Sequence, residues 1–301
     1  MAKPGENCES VPLFRKRTSM KNRVLRVSVQ IGNDFKVFTD QKMTVKGIKT
    51  TTPRADTCEI TIAGLSRTTL NTLTDYLYDS TTTLQARVEI GREGGKLSEL
   101  YLGDVHNNNS EVAVGESAAT FNDNSITLFC GTGAAKKQSL KSISLPKKTS
   151  LKDIAAEVAG GLGSLLDFSA TDSKEDGFVH NGDAFGAIDK IAKKPEIEAY
   201  LDGNTLVVKN KRVPLAGRLI VLNKDSGMIG VPKRLKSEKP KQAKIQVQWL
   251  VDEIPSVGWG LQIQSERVQS ANGVWIISKL QFDLANRDKP WYFTAEAIRY
   301  E

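Results

Sequence analysis

The chain has 301 residues, 39% of them hydrophobic and 26% charged, which is typical of a soluble globular protein with room for two or three domains. Its 42 Lys and Arg outnumber its 35 Asp and Glu, so the net charge is +7. The longest purely apolar runs, such as residues 219–222, are far too short to cross a membrane, and we expect no membrane insertion. The first residues lack the apolar stretch of a secretory signal, and the three widely spaced cysteines are typical of reduced thiols made in the cytosol.

Residues 22–133 have the alternating pattern of β-strands. Leu25, Val27, Val29 and Ile31 alternate with polar residues, and a turn at 32–34 returns the chain into a second strand. Later stretches repeat the alternation, with one helix between them that Ser66 is expected to cap. We therefore predict a first β-barrel domain over residues 22–133, preceded by a basic N-terminal arm over residues 1–21.

Residues 134–225 mix helices and strands. Ser150 and Asp153 have near-capping-box spacing before a helix that Gly160–Gly161 is expected to end. A second helix is predicted over Asp183–Lys194, and the turn at Asp202–Gly203–Asn204 predicts a hairpin. This stretch is predicted to be a small α/β domain.

Residues 226–301 again alternate, most clearly at 245–251 and 291–297, with an Asn272–Gly273 turn between strands. Short strands at this spacing favour barrels or sandwiches. The predicted fold class is mainly β with an α/β insert, in which two β segments flank the small α/β domain.

The sequence contains no motif typical of an active site or a ligand-binding site. His106 and His180 have no Cys or second His at ligand spacing, so a structural zinc site is not expected. His106 lies close to Asp104, but no Ser or Cys motif accompanies this possible acid–base pair. Cys130 lies in an alternating strand pattern, which is typical of a core thiol. Residues 131–136 (GTGAAK) lack the spacing of a phosphate loop. We predict no catalytic residue, no cofactor and no metal.

The stretch 227–234, GMIGVPKR, permits two interpretations. Two glycines followed by Lys and Arg could form a loop that grips phosphates, or a bend that leads into a new strand. Nucleic-acid loops of this kind usually carry basic residues between the glycines, whereas this stretch carries Met228 and Ile229. We therefore predict a domain-junction bend at Gly227, Gly230 and Pro232, with no ligand bound.

Five segments follow one another in a characteristic order: RADTCEITIAGLS, YLGDV, SLPKKTSLKDIAAEVAGGLG, DSGMIGVPKRLKSE, and the final stretch from LVDEIP to WYFTAEA. Together they resemble the tail or baseplate hub proteins of bacteriophages, which are related to the hubs of contractile injection systems and type VI secretion spikes. The resemblance covers about residues 22–300. The sequence departs from the family pattern at Phe282–Ala285, where the family often has a His-Ser-Gly-Asp-like stretch, so no contact of that loop is inferred from the family.

The resemblance implies two tube-protein-like β-barrel domains and a non-enzymatic homotrimeric ring. Such a ring joins the sixfold tail tube to a threefold spike or fibre and leaves a channel for DNA. The implied partners are further copies of the chain, a tail tube or distal tube protein, a spike or fibre protein and the tape-measure protein, with DNA present only in transit. The implied location is the virion, assembled in the host cytoplasm. Trp249, Trp259 and Trp291 are candidate interface residues, although alternating strand tryptophans also suit a core.

Two other functions remain open. The segment 233–244 holds six Lys or Arg and one Glu, which would suit a nucleic-acid-binding protein or simply a solvated loop. No RNP-like aromatic pattern accompanies this charge. A tail-associated cell-wall hydrolase would need a pair of acids that cannot be identified among 35 carboxylates.

Overall fold

The computed structural model describes residues 21–52, 56–79, 84–106, 110–113, 124–133, 140–236, 243–251, 254–287 and 289–300. Cys8, the predicted arm except Lys21, and residues 237–242 of the basic segment lie outside these ranges. The fold is mainly β with a few helices, as the sequence predicts. Across the described ranges, we find no helix with the length and apolar character needed to span a bilayer.

Among its described residues, the first β segment contains one helix and eight strands. In chain order these are β1 (Arg23–Ile31), β2 (Asp34–Phe38), β3 (Lys42–Thr50), β4 (Thr57–Ala63), α1 (Arg67–Tyr78), β5 (Gln85–Arg92), β6 (Ser98–Val105), β7 (Glu111–Ala113) and β8 (Ser125–Gly131). The alternation in the sequence is an alternation of burial, since Leu25, Val27 and Val29 point into the core. The predicted cap of α1 is confirmed, because the hydroxyl of Ser66 accepts a hydrogen bond from the backbone N–H of Thr69.

The middle segment packs two helices on short sheets. Its elements are β9 (Leu140–Leu145), β10 (Thr149–Ser150), α2 (Leu151–Leu162), β11 (Leu165–Ser169), β12 (Lys174–Glu175), β13 (Phe178–Asp183), α3 (Ala184–Ala192), β14 (Ile197–Asp202) and β15 (Thr205–Asn210). Helix α2 passes through the double glycine that was predicted to end it, because the left-handed cap falls at Gly163, with φ of 60°. The predicted hairpin is confirmed as β14 and β15, which form a three-stranded sheet with β11.

The last segment returns to β-structure. It contains β16 (Leu219–Leu222), β17 (Met228–Leu235), β18 (Lys244–Leu250), β19 (Gly260–Ile263), a 3₁₀ turn (Gln269–Ala271), β20 (Gly273–Ala285) and β21 (Trp291–Arg299). Strand β16, which falls in the range predicted for the middle domain, pairs in parallel with β19. The predicted domain boundaries at 133/134 and 225/226 and the closure of two barrels stay predictions.

One continuous sheet joins the first and last segments. Its strands follow the order β17-β18-β21-β20-β3-β4-β8-β6-β5-β1-β2, with β16, β19 and β7 attached at its sides. The two segments meet where residues 44–50 of β3 pair with residues 279–285 of β20, and we call this pairing the seam. The side chain of Asn286 strengthens the seam, since it accepts a hydrogen bond from the N–H of Met43 and donates one to the carbonyl of Gln41.

Two apolar cores lie on opposite sides of the middle hairpin. Ala199, Leu201 and Leu206 pack beneath the helices of the middle segment. Tyr200 and Val207 point the other way and join a single core that runs through both β segments. The period-two alternation of the hairpin therefore attaches the middle segment to the large sheet.

Candidate assembly surface

The seam carries a polar sheet face whose charged side chains are exposed or half-buried. A row of directly opposed residues crosses six strands in the order Leu250, Tyr292, Asp283, Lys46, Glu59, Phe129. We call this the charged row, because its centre alternates carboxylate, ammonium and carboxylate. Opposite charges facing each other across strands favour this register.

Two further rows run beside the charged row. The first comprises Gln248, Thr294, Gln281, Ile48, Thr57 and Gly131, and the second comprises Gln246, Glu296, Lys279 and Thr50. The three rows together are named the seam face. The seam face contains three carboxylates (Glu59, Asp283 and Glu296) and two ammonium groups (Lys46 and Lys279). A groove of about 680 Å³ lies over the charged row and the row that begins with Gln248.

The carboxylates of the seam face differ in their surroundings. Burial raises the pKa of Asp283, although the charge of Lys46 opposes this shift, and its Oδ1 accepts no hydrogen bond from any residue in the described ranges. Burial would also raise the pKa of Glu296, but Lys244 at 2.5 Å and Lys279 at 3.5 Å outweigh burial and hold that pKa below its usual value. The groove therefore contains one carboxylate oxygen without a partner among the described residues.

Beneath the sheet, three segments meet at a buried ion pair. Lys49 of β3 is 6% exposed, and its Nζ pairs with the carboxylate of Asp202 from the middle segment. The same Nζ donates to the carbonyl of Leu100 at 3.2 Å and to Oγ of Ser256 at 3.3 Å, and Ser256 in turn donates to Asp202 at 2.5 Å. These contacts link the first, middle and last segments, and we call them the three-segment junction.

A second acid lies next to this junction. Asp56 is 8% exposed, and its Oδ1 accepts a hydrogen bond from the N–H of Thr50 at 2.6 Å. Its Oδ2 is buried and has no partner within the described residues. Burial raises the pKa of Asp56 to about 7, because desolvation and the charge of Asp202 outweigh the favourable charge of Lys49.

The loop at 255–260, PSVGWG, completes the junction. Gly258 has φ of +80°, and a Cβ there would collide with the hydroxyl of Tyr200 from the middle hairpin. The hydroxyl of Tyr200 donates to the carbonyl of Val257 at 3.0 Å. Only glycine gives the loop both the left-handed backbone and the space for this approach.

The predicted bend residues lie at the start of the edge strand β17 and within it. Gly227 has φ of 99° and precedes the strand, while Gly230 has φ of 69° inside it. The pairing with β18 shifts register between Ile229 and Lys233, so Gly230 and the buried Pro232 lie in a bulge. The structure thus places a strand where the sequence predicts a bend, with the irregularity concentrated at the two glycines. The role of these residues at a domain junction stays a prediction.

The candidate interface tryptophans differ in burial. Trp291 is 7% exposed and belongs to the core of the β segments, with the guanidinium of Arg23 stacked on its ring. Trp259 is half-buried beside the same core, and the guanidinium of Arg218 lies 5.5 Å from its ring centroid. Trp249 is 2% exposed and belongs to the same core, so of the three candidates Trp259 is better placed to contact another chain.

Both histidines have structural contacts. The ring of His106 packs over Gly131, and Nε2 of His180 forms a hydrogen bond of 2.7 Å with the carbonyl of Asp183. Cys130 is buried, as expected of a core thiol. Within the described ranges, no group of three or more His, Cys, Asp or Glu is arranged to hold a metal ion.

Solved structures show similar folds at very low sequence identity. The tail protein from Neisseria meningitidis MC58 matches with a TM-score of 0.62 and 9% identity, over 91% of this chain and 96% of that one. The 43 kDa tail protein of prophage MuSo2 from Shewanella oneidensis matches with a TM-score of 0.62 and 10% identity, over the same shares of the two chains. The E. coli c3393 protein, a component of the type VI secretion system described as similar to the T4 tail proteins gp27 and gp5, matches with a TM-score of 0.59 and 10% identity, over 87% of this chain and 74% of that one.

No curated protein matches the sequence. A family model, described as "Baseplate hub gp41", matches residues 24–297, which is most of the chain. This match agrees with the order of sequence segments and with the fold. The chain therefore belongs to the baseplate hub gp41 family.

Proposed function

We propose that three copies of this chain form a ring that joins the sixfold tail tube to a threefold central spike or fibre. A tail or baseplate role follows from the family, and the seam is the observation that carries the finer proposal. The seam holds two strand-rich segments side by side in one sheet, so three chains would present six such units. The ring as a whole would have threefold symmetry, because it consists of three identical chains, and this suits a threefold partner.

The ring would leave a channel for DNA, and the seam face is our candidate for its lining. The chain as a whole has a net charge of +7, yet the three rows of the seam face carry one more carboxylate than ammonium groups. Nonspecific DNA affinity comes from Lys and Arg that neutralise phosphates. A polar face without excess basic residues therefore suits DNA that passes through and is not retained.

The proposed partners are the tail tube or distal tube protein, the spike or fibre protein and the tape-measure protein. The chain acts on them by shape and does no catalysis. It is a virion component, and we propose that it assembles in the host cytoplasm.

The mass of the purified protein in solution tests the ring. Light scattering after size-exclusion chromatography is expected to give a trimer of 33.0 kDa chains, about 99 kDa, and electron microscopy is expected to show rings. A chain that stays monomeric alone and in mixtures with its tail tube and spike proteins would overturn the proposal.

Nucleic-acid binding is the competing function, because Lys233 and Arg234 are exposed on the edge strand β17. Strong, salt-dependent DNA binding by the monomer would favour that function.

A further inference from the structure

Cys58 of β4 and Cys130 of β8 face each other across adjacent antiparallel strands. The pairing places Cys58 directly opposite Cys130, and both residues are 2% exposed within the same core. Residues directly opposite in a sheet point to the same side. Both thiols therefore project into one small region of the core.

The backbone hydrogen bonds identify the type of this pair. The N–H of Thr132 donates to the carbonyl of Asp56 at 3.4 Å, and the N–H of Gly64 donates to the carbonyl of Asn124 at 3.0 Å. Hydrogen-bonded and non-hydrogen-bonded pairs alternate along an antiparallel ladder, so Cys58 and Cys130 form a hydrogen-bonded pair. Such pairs have Cα atoms about 5.5 Å apart, which is within the Cα range that disulfides span, about 4.4–6.8 Å. Their Cβ atoms are about 5.5 Å apart, so the bond requires the two strands to adjust until the Cβ atoms are about 3.5–4.5 Å apart.

The pair also lies close to the end of its ladder. Beyond it lie the pair of Thr57 with Gly131 and the hydrogen bond from Thr132 to Asp56. Exposure of the thiols would require local opening of this end of the sheet, where Cys58 also pairs with Gly47 of β3 and Cys130 with Val105 of β6. Burial raises the pKa of both thiols, that of Cys130 to about 12, so exchange in the closed state is slow.

We propose that Cys58 and Cys130 form a site of reversible disulfide formation that reacts with low-mass disulfides such as glutathione disulfide. In the first step, the thiolate of Cys130 attacks one sulfur of glutathione disulfide and releases one glutathione thiolate. The thiolate of Cys58 then attacks Sγ of Cys130, forms the Sγ–Sγ bond and releases the second glutathione. Two electrons pass to the glutathione disulfide, and the two protons of the protein thiols end on the two glutathione molecules.

The bond would close a loop between β4 and β8 that contains α1, β5, β6 and β7. Cross-linking two positions so far apart in sequence restricts the unfolded chain. Reduced thiols are expected in the cytosol and the disulfide in an oxidising medium. Because the bond restricts the unfolded chain, the oxidised protein is expected to be the more heat-stable form.

The test uses the full-length Cys8→Ser variant, which retains only these two thiols. It is unfolded and refolded in a glutathione redox buffer, so that access to the core does not limit the reaction, and is then alkylated in denaturant and analysed by mass spectrometry. The expected result is loss of both alkylation sites, a linked peptide pair containing residues 58 and 130, and a melting temperature about 5 °C or more above that of the reduced sample. The Cys8→Ser/Cys58→Ala and Cys8→Ser/Cys130→Ala variants should show no rise after the same treatment.

Two results would overturn the proposal. One is a refolded Cys8→Ser protein whose two thiols are fully alkylated after equilibration with glutathione disulfide. The other is an oxidised form that melts below the reduced form, which would mean that the sheet does not accommodate the bond.

Discussion

The ring of Phe282 lies over the backbone of Gly47, its directly opposed partner across the seam. A Cβ at Gly47 would collide with Cζ of Phe282, so the ring occupies the space that any other side chain would need. Phe282 itself is 2% exposed and packs in the core that the two β segments share. The contact fixes one register between strands from opposite ends of the chain.

Replacing Gly47 by Ala is expected to weaken this register. Overpacking of a tight core contact typically costs about 1–3 kcal/mol, and we expect a lower midpoint in chemical denaturation. Gly160→Ala is the matched control, because a Cβ there meets nothing within 4 Å and the residue is helical. The control should be neutral or stabilising. Equal midpoints for Gly47→Ala and the wild type would show that the seam accommodates the extra methyl group without loss of stability.

The three-segment junction should be sensitive to loss of one charge. Lys49→Met leaves the half-buried carboxylate of Asp202 without its cation, and we expect the loss of unfolding free energy to approach the roughly 3–5 kcal/mol typical of breaking a buried pair. The double variant Lys49→Met/Asp202→Leu should lose less than the two single variants combined. Lys224→Met, which removes an exposed partner of Glu266, is the control and should leave the denaturation curve unchanged.

Asp56 predicts a specific pH dependence. Its folded pKa of about 7 lies above the value near 3.9 expected in the unfolded chain, so the folded state binds the proton more tightly. The free energy of unfolding should therefore fall as pH rises from about 4 to about 7, by at most about 1.4 kcal/mol per pH unit, and level off above. Urea denaturation between pH 5 and 8 measures this slope. Asp56→Asn should flatten it, since an amide oxygen can still accept from Thr50, and an unchanged slope would assign the effect to another group.

Trp259 is predicted to support assembly. Trp259→Ala should shift the solution mass from about 99 kDa towards that of the 33.0 kDa monomer while the far-ultraviolet circular dichroism stays that of a β protein. Tyr78→Ala, which truncates an aromatic residue 81% exposed on α1, is the control and should keep the trimer mass. A Trp259→Ala protein that remains fully trimeric would remove this residue from the interface.

Charge reversal on the seam face tests the proposed channel. Glu59→Lys combined with Asp283→Lys makes all three charges of the charged row positive, and the assembled ring should then bind DNA with an affinity that falls steeply as salt rises. Glu266→Lys makes a single charge reversal at an exposed ion pair outside the seam face, and should change DNA binding little. Fluorescence anisotropy with labelled duplex DNA gives the comparison. Weak DNA binding by the double variant would argue that the seam face lies outside the channel.

The local elements were predictable because their signals lie close together in sequence. Ser66 caps α1, Asp183 caps α3, and the Asp202–Gly203–Asn204 turn joins β14 to β15. The seam was not predictable, because alternation in β3 and β20 shows which side is buried but not which strand is the neighbour. The edge strand β17 was missed for a local reason. A bulge accommodates both the positive φ of Gly230 and the missing N–H of proline, so residues that usually end a strand occur inside one.

The junction residues were hidden for a similar reason. Lys46 and Lys49 are three positions apart in the same strand, so alternation places them on opposite faces, with Lys49 on the apolar face of Met43 and Val45. The sequence does not show what stabilises a buried ammonium group there. The partner of Lys49 is Asp202, which belongs to another segment. Charge partners that meet only through the tertiary fold leave no spacing signal in a single sequence.

The seam also has a consequence for synthesis of the protein. Met43 and its partner Asn286 are 243 positions apart, so β3 emerges from the ribosome long before β20 exists. At about 5–20 residues per second, the edge of β3 waits roughly 12–50 s for its neighbour. During that interval the nascent first segment exposes an unpaired strand, which is a template for association with other nascent chains. Early termination before residue 279 should therefore yield fragments that aggregate, and a holdase chaperone would act on this protein mainly before its last strands are made.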